Sequence, residues 1–222
     1  MVGNREYKKL ESFFKEFDKF ISSHGNLKKI LEYVKSKQGS HGGEHLIRTA
    51  RYAYAIGKMN KLDEKELELL AIASFLHDIE RNRELMENPK QSAEKAREIM
   101  ESLGYSEGEI MIVTRAILFH PSGNSERLFD QILYDADKLD FVGCRALRKR
   151  VPQYAEELGV PEEEILEYGF RKLRELEFKT AIGRELALRK LEYACNLYPE
   201  VVERYRSEIE RFRVRNKKAD WR

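Results

Sequence analysis

Cysteine is scarce: Cys144 and Cys195 are the only two in 222 residues and lie far apart in the sequence. That count rules out a disulfide framework and an all-cysteine zinc site, so both are expected as free thiols in a reducing compartment. Long apolar runs are missing too. No stretch approaches the ~18 apolar residues of a membrane span, and the first residues lack the apolar centre of a signal peptide. A cytoplasmic location with no membrane partner is the expectation. Neither sign of charge dominates, since 41 Lys and Arg face 39 Asp and Glu for a formal +2, a balance that implies no nucleic-acid partner. Also absent are sustained period-two alternation, internal repeats and low-complexity segments, which makes the predicted fold all-α.

What is present is a chain with 41% hydrophobic and 36% charged residues, a mixture typical of soluble proteins and often associated with heat stability. At this length one domain, 1–222, is expected. Leu10, Phe13, Phe14, Phe17 and Phe20 recur at helical spacing within 5–21, and Leu27, Ile30, Leu31 and Val34 continue the pattern. Glycines at 39, 42 and 43 break the chain before a helix from Glu44 to Met59 with His45 in its first turn. Asp63 and Glu66 form a predicted capping box for the next helix, and Ser106 and Glu109 another. A polar loop is expected over 81–90, ending in Asn88 and Pro89. Helices follow over 91–103 and 107–120, the second stopping at His120-Pro121. The remainder reads as helices with breaks near Pro152, Pro161, Gly183 and Pro199.

Chemistry concentrates where the apolar run from Ala71 to Leu76 ends in His77 and Asp78. Leu67, Leu70, Ala71, Ser74 and Phe75 recur at three- and four-residue intervals, so a helix buries that face and carries the pair at its C-terminal end. A buried carboxylate needs a partner or a metal, and neutral imidazole is the commonest metal ligand. A lone dipeptide of this kind arises by chance about 0.2 times in such a composition, so further members decide its meaning.

Those members are His45, His120 and Asp137, the last inside Asp135-Ala-Asp-Lys-Leu-Asp140. Their order and spacing resemble the HD-domain superfamily of metal-dependent phosphohydrolases over roughly residues 25–150. His45-Leu-Ile-Arg48 is similar to the family's His-x-x-Arg opening, and Asp135 to Leu139 to its Asp-Ala-Asp-Arg/Lys-Leu signature. The resemblance implies a helical bundle of the HD type, with 25–150 as a metal-binding core and 151–222 as a helical extension packed on it. It implies His45, His77, Asp78 and Asp137 as ligands of a divalent metal, with Asp135 and Asp140 as supporting or helix-capping carboxylates.

Some positions depart from the family. No histidine occurs between Ile79 and Phe119, and Gln91 stands where two-metal relatives supply one, so a single divalent ion (Mn, Fe, Co, Ni, Mg or Zn) is expected. Ser40-His41-Gly42 replaces a Ser-His-Asp found in many relatives, and Glu80-Arg81-Asn82 does not reproduce the Glu-Asp of alarmone-hydrolysing members. The implied reaction is cleavage of a phosphate ester, a nucleotide or related metabolite, by hydroxide formed on the metal. Asp78 and His120 are the candidate catalytic residues and Arg48 and Lys138 the candidate phosphate contacts, with Glu80 and Glu84 as substitutes for His120. Arg48 is equally suited to a salt bridge. The expected partner is a small phosphorylated substrate, and a homo-oligomer stays open. The rival readings keep the helical fold as a silent adaptor or as a nucleic-acid-binding module resting on the basic run from Arg204 to Arg222. There, a solvated amphipathic helix accounts for the same residues.

Overall fold

The computed structural model describes residues 3–37, 42–80 and 89–217, with side chains from Leu10 onward. Every regular element among the described residues is helical: α1 (Gly3–Ser23), α2 (Gly25–Lys35), α3 (Gly43–Met59), α4 (Glu64–Leu76), α5 (Pro89–Ser102), α6 (Glu107–Phe119), α7 (Leu128–Leu139), α8 (Val151–Leu158), α9 (Glu162–Leu173), α10 (Ala181–Leu197), α11 (Pro199–Arg204) and α12 (Arg206–Lys217). The all-α expectation therefore holds. None of these helices is long and apolar enough to cross a membrane. The backbone divides into two compact units, Met1–Asp137 and Lys138–Arg222, with the division falling inside α7.

Within the first unit α4 is the central element. Leu67 and every residue from Leu69 to Leu76 are buried. The three-four spacing predicted one buried face, but α4 packs against α2, α3, α5 and α6, and a helix surrounded in this way must be apolar all round. Its start is fixed by the capping box read from the sequence. Glu66 N donates to Asp63 Oδ1 at 2.8 Å, and Asp63 N donates to Glu66 Oε2 at 2.9 Å. The corresponding box at α6 joins Ser106 and Glu109. Helix α1 lies along α3, where Phe17 meets Tyr54 at 5.3 Å and Tyr54 donates its hydroxyl hydrogen to Glu16 at 3.1 Å.

Three predicted boundaries shift. Pro89 opens α5 instead of closing a loop, because a proline in the first helical position gives up an N–H that has no partner anyway. Residues 81–88 of that loop, with Arg81, Asn82 and Glu84, lie outside the described residues, as do Ser40 and His41. Pro152 does not break its helix. The turn before it, Ala146–Arg150, is π-helical and runs directly into α8. A widened turn relieves the clash that a proline ring makes with the carbonyl four residues back. Gly183 lies inside α10, and the break falls three residues earlier at Thr180, whose Oγ1 accepts from Gly183 N at 2.9 Å.

In the second unit Asn216 ties α12 to the chain before α10. Its Oδ1 accepts from Phe178 N at 2.9 Å and its Nδ2 donates to Leu176 O and Phe212 O at 3.0 Å. Arg150 is buried there, facing Asp140 at 3.4 Å and stacked over Phe141 at 4.5 Å and Tyr154 at 5.2 Å. Both cysteines are free.

Candidate metal centre

The sequence places His45 in the first turn of α3, and the packing of that turn places it in the core. Gly43 N donates to Lys37 O at 2.9 Å, and a Cβ on Gly43 would lie 2.4 Å from Val34 O. Only glycine lets the start of α3 press so closely on the end of α2. His45, two residues on, is consequently buried.

His77 and His120 are delivered in another way, each as the residue that ends its helix, α4 and α6 respectively. In each the ring turns back on its own helix. His77 Nδ1 lies 2.8 Å from Ser74 O, and His120 Nδ1 lies 2.6 Å from Ile117 O. A carbonyl can only accept, so in the neutral rings Nδ1 carries the hydrogen and Nε2 presents a lone pair. That is the tautomer a metal ligand needs.

The lone pairs converge. His45 Nε2 is 3.3 Å from Asp137 Oδ1, and His77 Nε2 is 3.6 Å from the same oxygen. His77 Nε2 is also 3.9 Å from Asp78 Oδ2, and His120 Nε2 is 3.5 Å from Asp78 Oδ1. All five residues are buried, and His77 Nε2 has no hydrogen-bond partner among the described residues. At 3.6 Å its relation to Asp137 is electrostatic. Burial works against a charge on His77, but Asp78, Asp137 and the Ser74 carbonyl outweigh it and raise its pKa above the ordinary imidazole value. Two sets of donor atoms are close enough to hold an ion: His45, His77 and Asp137, and His77, Asp78 and His120. Imidazole nitrogens and carboxylate oxygens around an unpartnered buried nitrogen fit a divalent transition metal, or magnesium less well.

The carboxylates flanking Asp137 are buried as well. Asp135 is fully buried on α7, and Asp140 faces Arg150. Arg48 Nη1 donates to Glu44 Oε2 at 3.2 Å, the salt-bridge alternative to phosphate binding. Lys138 follows Asp137 on α7 and is half-buried. Glu80 faces Lys37 at 3.7 Å. One support escaped the sequence reading. Arg115 on α6 donates twice to buried Asp130 on α7, at 3.1 Å each, and Ser125 Oγ donates to the same carboxylate at 2.7 Å. These bonds pin the segment after His120 and fix the start of the helix that carries Asp137.

The sequence profile of the HD domain matches residues 42–142, which contain all five of these residues. Residues 42–142 are an HD domain. Several solved structures share the fold. Bacillus subtilis YpgQ in complex with ADP is 20% identical, with a TM-score of 0.63 over 80% of this chain and 93% of that one. A predicted HD superfamily hydrolase from an uncultured Thermotogales bacterium is 26% identical, with a TM-score of 0.54 over 81% of this chain and 89% of that one. A Lactobacillus plantarum protein is 21% identical, with a TM-score of 0.61 over 84% and 97%. No curated protein matches the chain in sequence.

Proposed function

We propose that the HD domain is a metal-dependent phosphohydrolase acting on a phosphate ester, a nucleotide or a related phosphorylated metabolite. The observation that carries this reading is the convergence of three Nε2 atoms and two carboxylates in one buried cluster, with His77 Nε2 unpartnered. His45, His77, Asp78 and Asp137 would hold one divalent ion. Such an ion acidifies water and withdraws charge from a phosphoryl oxygen. The protein's own groups do the rest. Asp78 has two oxygens facing two imidazoles, so one can accept the hydrogen of a water molecule and aim its lone pair at phosphorus. As the new P–O bond forms, the bond to the leaving oxygen breaks. His120 can give that oxygen a hydrogen only as the imidazolium, with a second hydrogen on Nε2 beside the one Nδ1 keeps toward Ile117 O. Arg48 and Lys138 are the proposed contacts to non-reacting phosphate oxygens. The nucleotide preference is supported by the ADP bound to the similarly folded YpgQ.

The test uses full-length protein stripped with chelator and reloaded with Mn²⁺, Co²⁺, Ni²⁺, Zn²⁺ or Mg²⁺. Phosphate release is followed on nucleoside mono-, di- and triphosphates, cyclic nucleotides and sugar phosphates. At least one class should turn over with metal and not with His77→Ala, while His120→Ala should keep its metal and lose ~10²–10⁴-fold in kcat. Metal binding without turnover on any class would leave a silent adaptor.

A further inference from the structure

Thr49 stands one turn beyond His45 on α3, so the two side chains share a helix face. It is completely buried, and its Oγ1 has no hydrogen-bond partner among the described residues. Ser74 and Thr114 each donate to the carbonyl four residues back, at 2.7 and 2.8 Å, the usual outlet for a hydroxyl inside a helix. Thr49 makes no such bond. A buried hydroxyl left alone costs about 1–3 kcal/mol, so this position calls for a partner that the described residues do not supply. Side chains in a helix lean toward its N-terminus, which carries the Thr49 hydroxyl over the turn of His45, whose Nε2 faces Asp137 Oδ1 at 3.3 Å.

We propose that Thr49 is a positioning residue of the metal centre, its hydroxyl holding one buried water that also hydrogen-bonds the Asp137 carboxylate. The inference rests on the metal-centre reading above. The Thr49 O–H donates to the water, and the water donates to the carboxylate. Buried waters satisfy polar groups that lack a protein partner. Ligating carboxylates are oriented by such outer contacts, and losing one typically weakens metal binding ~10–100-fold.

Thr49→Val removes the hydroxyl at constant shape, and Thr49→Ser keeps it. Chelator-stripped full-length wild type, both variants and His77→Ala are titrated calorimetrically with Mn²⁺, and their melting is followed without metal. Thr49→Val should bind Mn²⁺ ~10–100-fold more weakly, as expected when an outer contact is lost, while Thr49→Ser stays close to wild type. Melting of the metal-free variants shows that each is folded, so that weaker binding is read on folded protein. Wild-type affinity in Thr49→Val, or equal weakening in both variants, would overturn the role. His77→Ala separates the two ideas. If it still binds Mn²⁺ normally, the metal centre itself is wrong; if it loses Mn²⁺ while Thr49→Val does not, only the Thr49 role fails.

Discussion

Asp137 and Asp140 are both buried carboxylates, one turn apart, and the structure gives them different neighbours. Asp137 faces His45 and His77, whereas Asp140 faces the buried guanidinium of Arg150. Substituting asparagine should therefore damage different properties. Asp137→Asn should lose Mn²⁺ binding by more than the ~10–100-fold of an outer contact while the metal-free protein melts near the wild-type temperature or above it. Removing the negative charge opposite Arg150 breaks a buried ion pair, a change that typically costs ~3–5 kcal/mol. Asp140→Asn should thus lower the melting temperature and leave Mn²⁺ affinity nearly intact in the folded fraction. Calorimetric titration and thermal melts of the two variants check this. If Asp140→Asn strips the metal and Asp137→Asn does not, the two roles have been exchanged.

Helices reach the centre by two routes, and only one is legible in the sequence. Helix α4 and helix α6 announce themselves through capping boxes, apolar runs and terminal histidines, and both form as read. Helix α3 announces its start with a glycine run, but the reason for Gly43 is a main-chain carbonyl on another helix, which no local pattern encodes. Gly43→Ala would set a methyl group 2.4 Å from Val34 O, so the first turn of α3 must move away from α2 and take His45 with it. The variant should lose ~1–3 kcal/mol of stability, the usual cost of forcing extra volume into a packed contact, and should bind Mn²⁺ more weakly than wild type. Chemical denaturation and metal titration measure both, and unchanged values in both would mean that the contact relaxes freely. The same distinction explains the other misreadings. Pro152 looks like a break because a wide turn before a proline has no sequence signature, and α4 looks buried on one face because its all-round burial depends on four neighbours. The Arg115–Asp130 pair joins residues on different helices and has no spacing to reveal it.

Across the first unit, the five converging residues come from α3, α7 and the ends of α4 and α6, so an ion held there would tie together segments distant in sequence. Binding to the folded state alone adds RT ln(1 + [L]/Kd), about 2.7 kcal/mol at a hundredfold excess over Kd, which corresponds to roughly 5–10 °C for a chain of this size. Saturating Mn²⁺ should raise the melting temperature by about that much, excess chelator should reverse the gain, and His77→Ala should show none. Equal melting with and without metal in the wild type would mean that the folded chain does not bind Mn²⁺ in preference to the unfolded one, and would count against the centre. The way His77 and His120 are held also bears on how this protein can change over generations. Their tautomers are set by the carbonyls of Ser74 and Ile117, and a main-chain carbonyl survives any substitution that preserves the helix. Replacing either residue by another helix former would leave the proton on Nδ1 and the lone pair on Nε2. Two of the three histidines in the cluster are thus insulated from mutational drift in the residues that orient them, and the surrounding sequence is free to diverge while the reactive face stays the same.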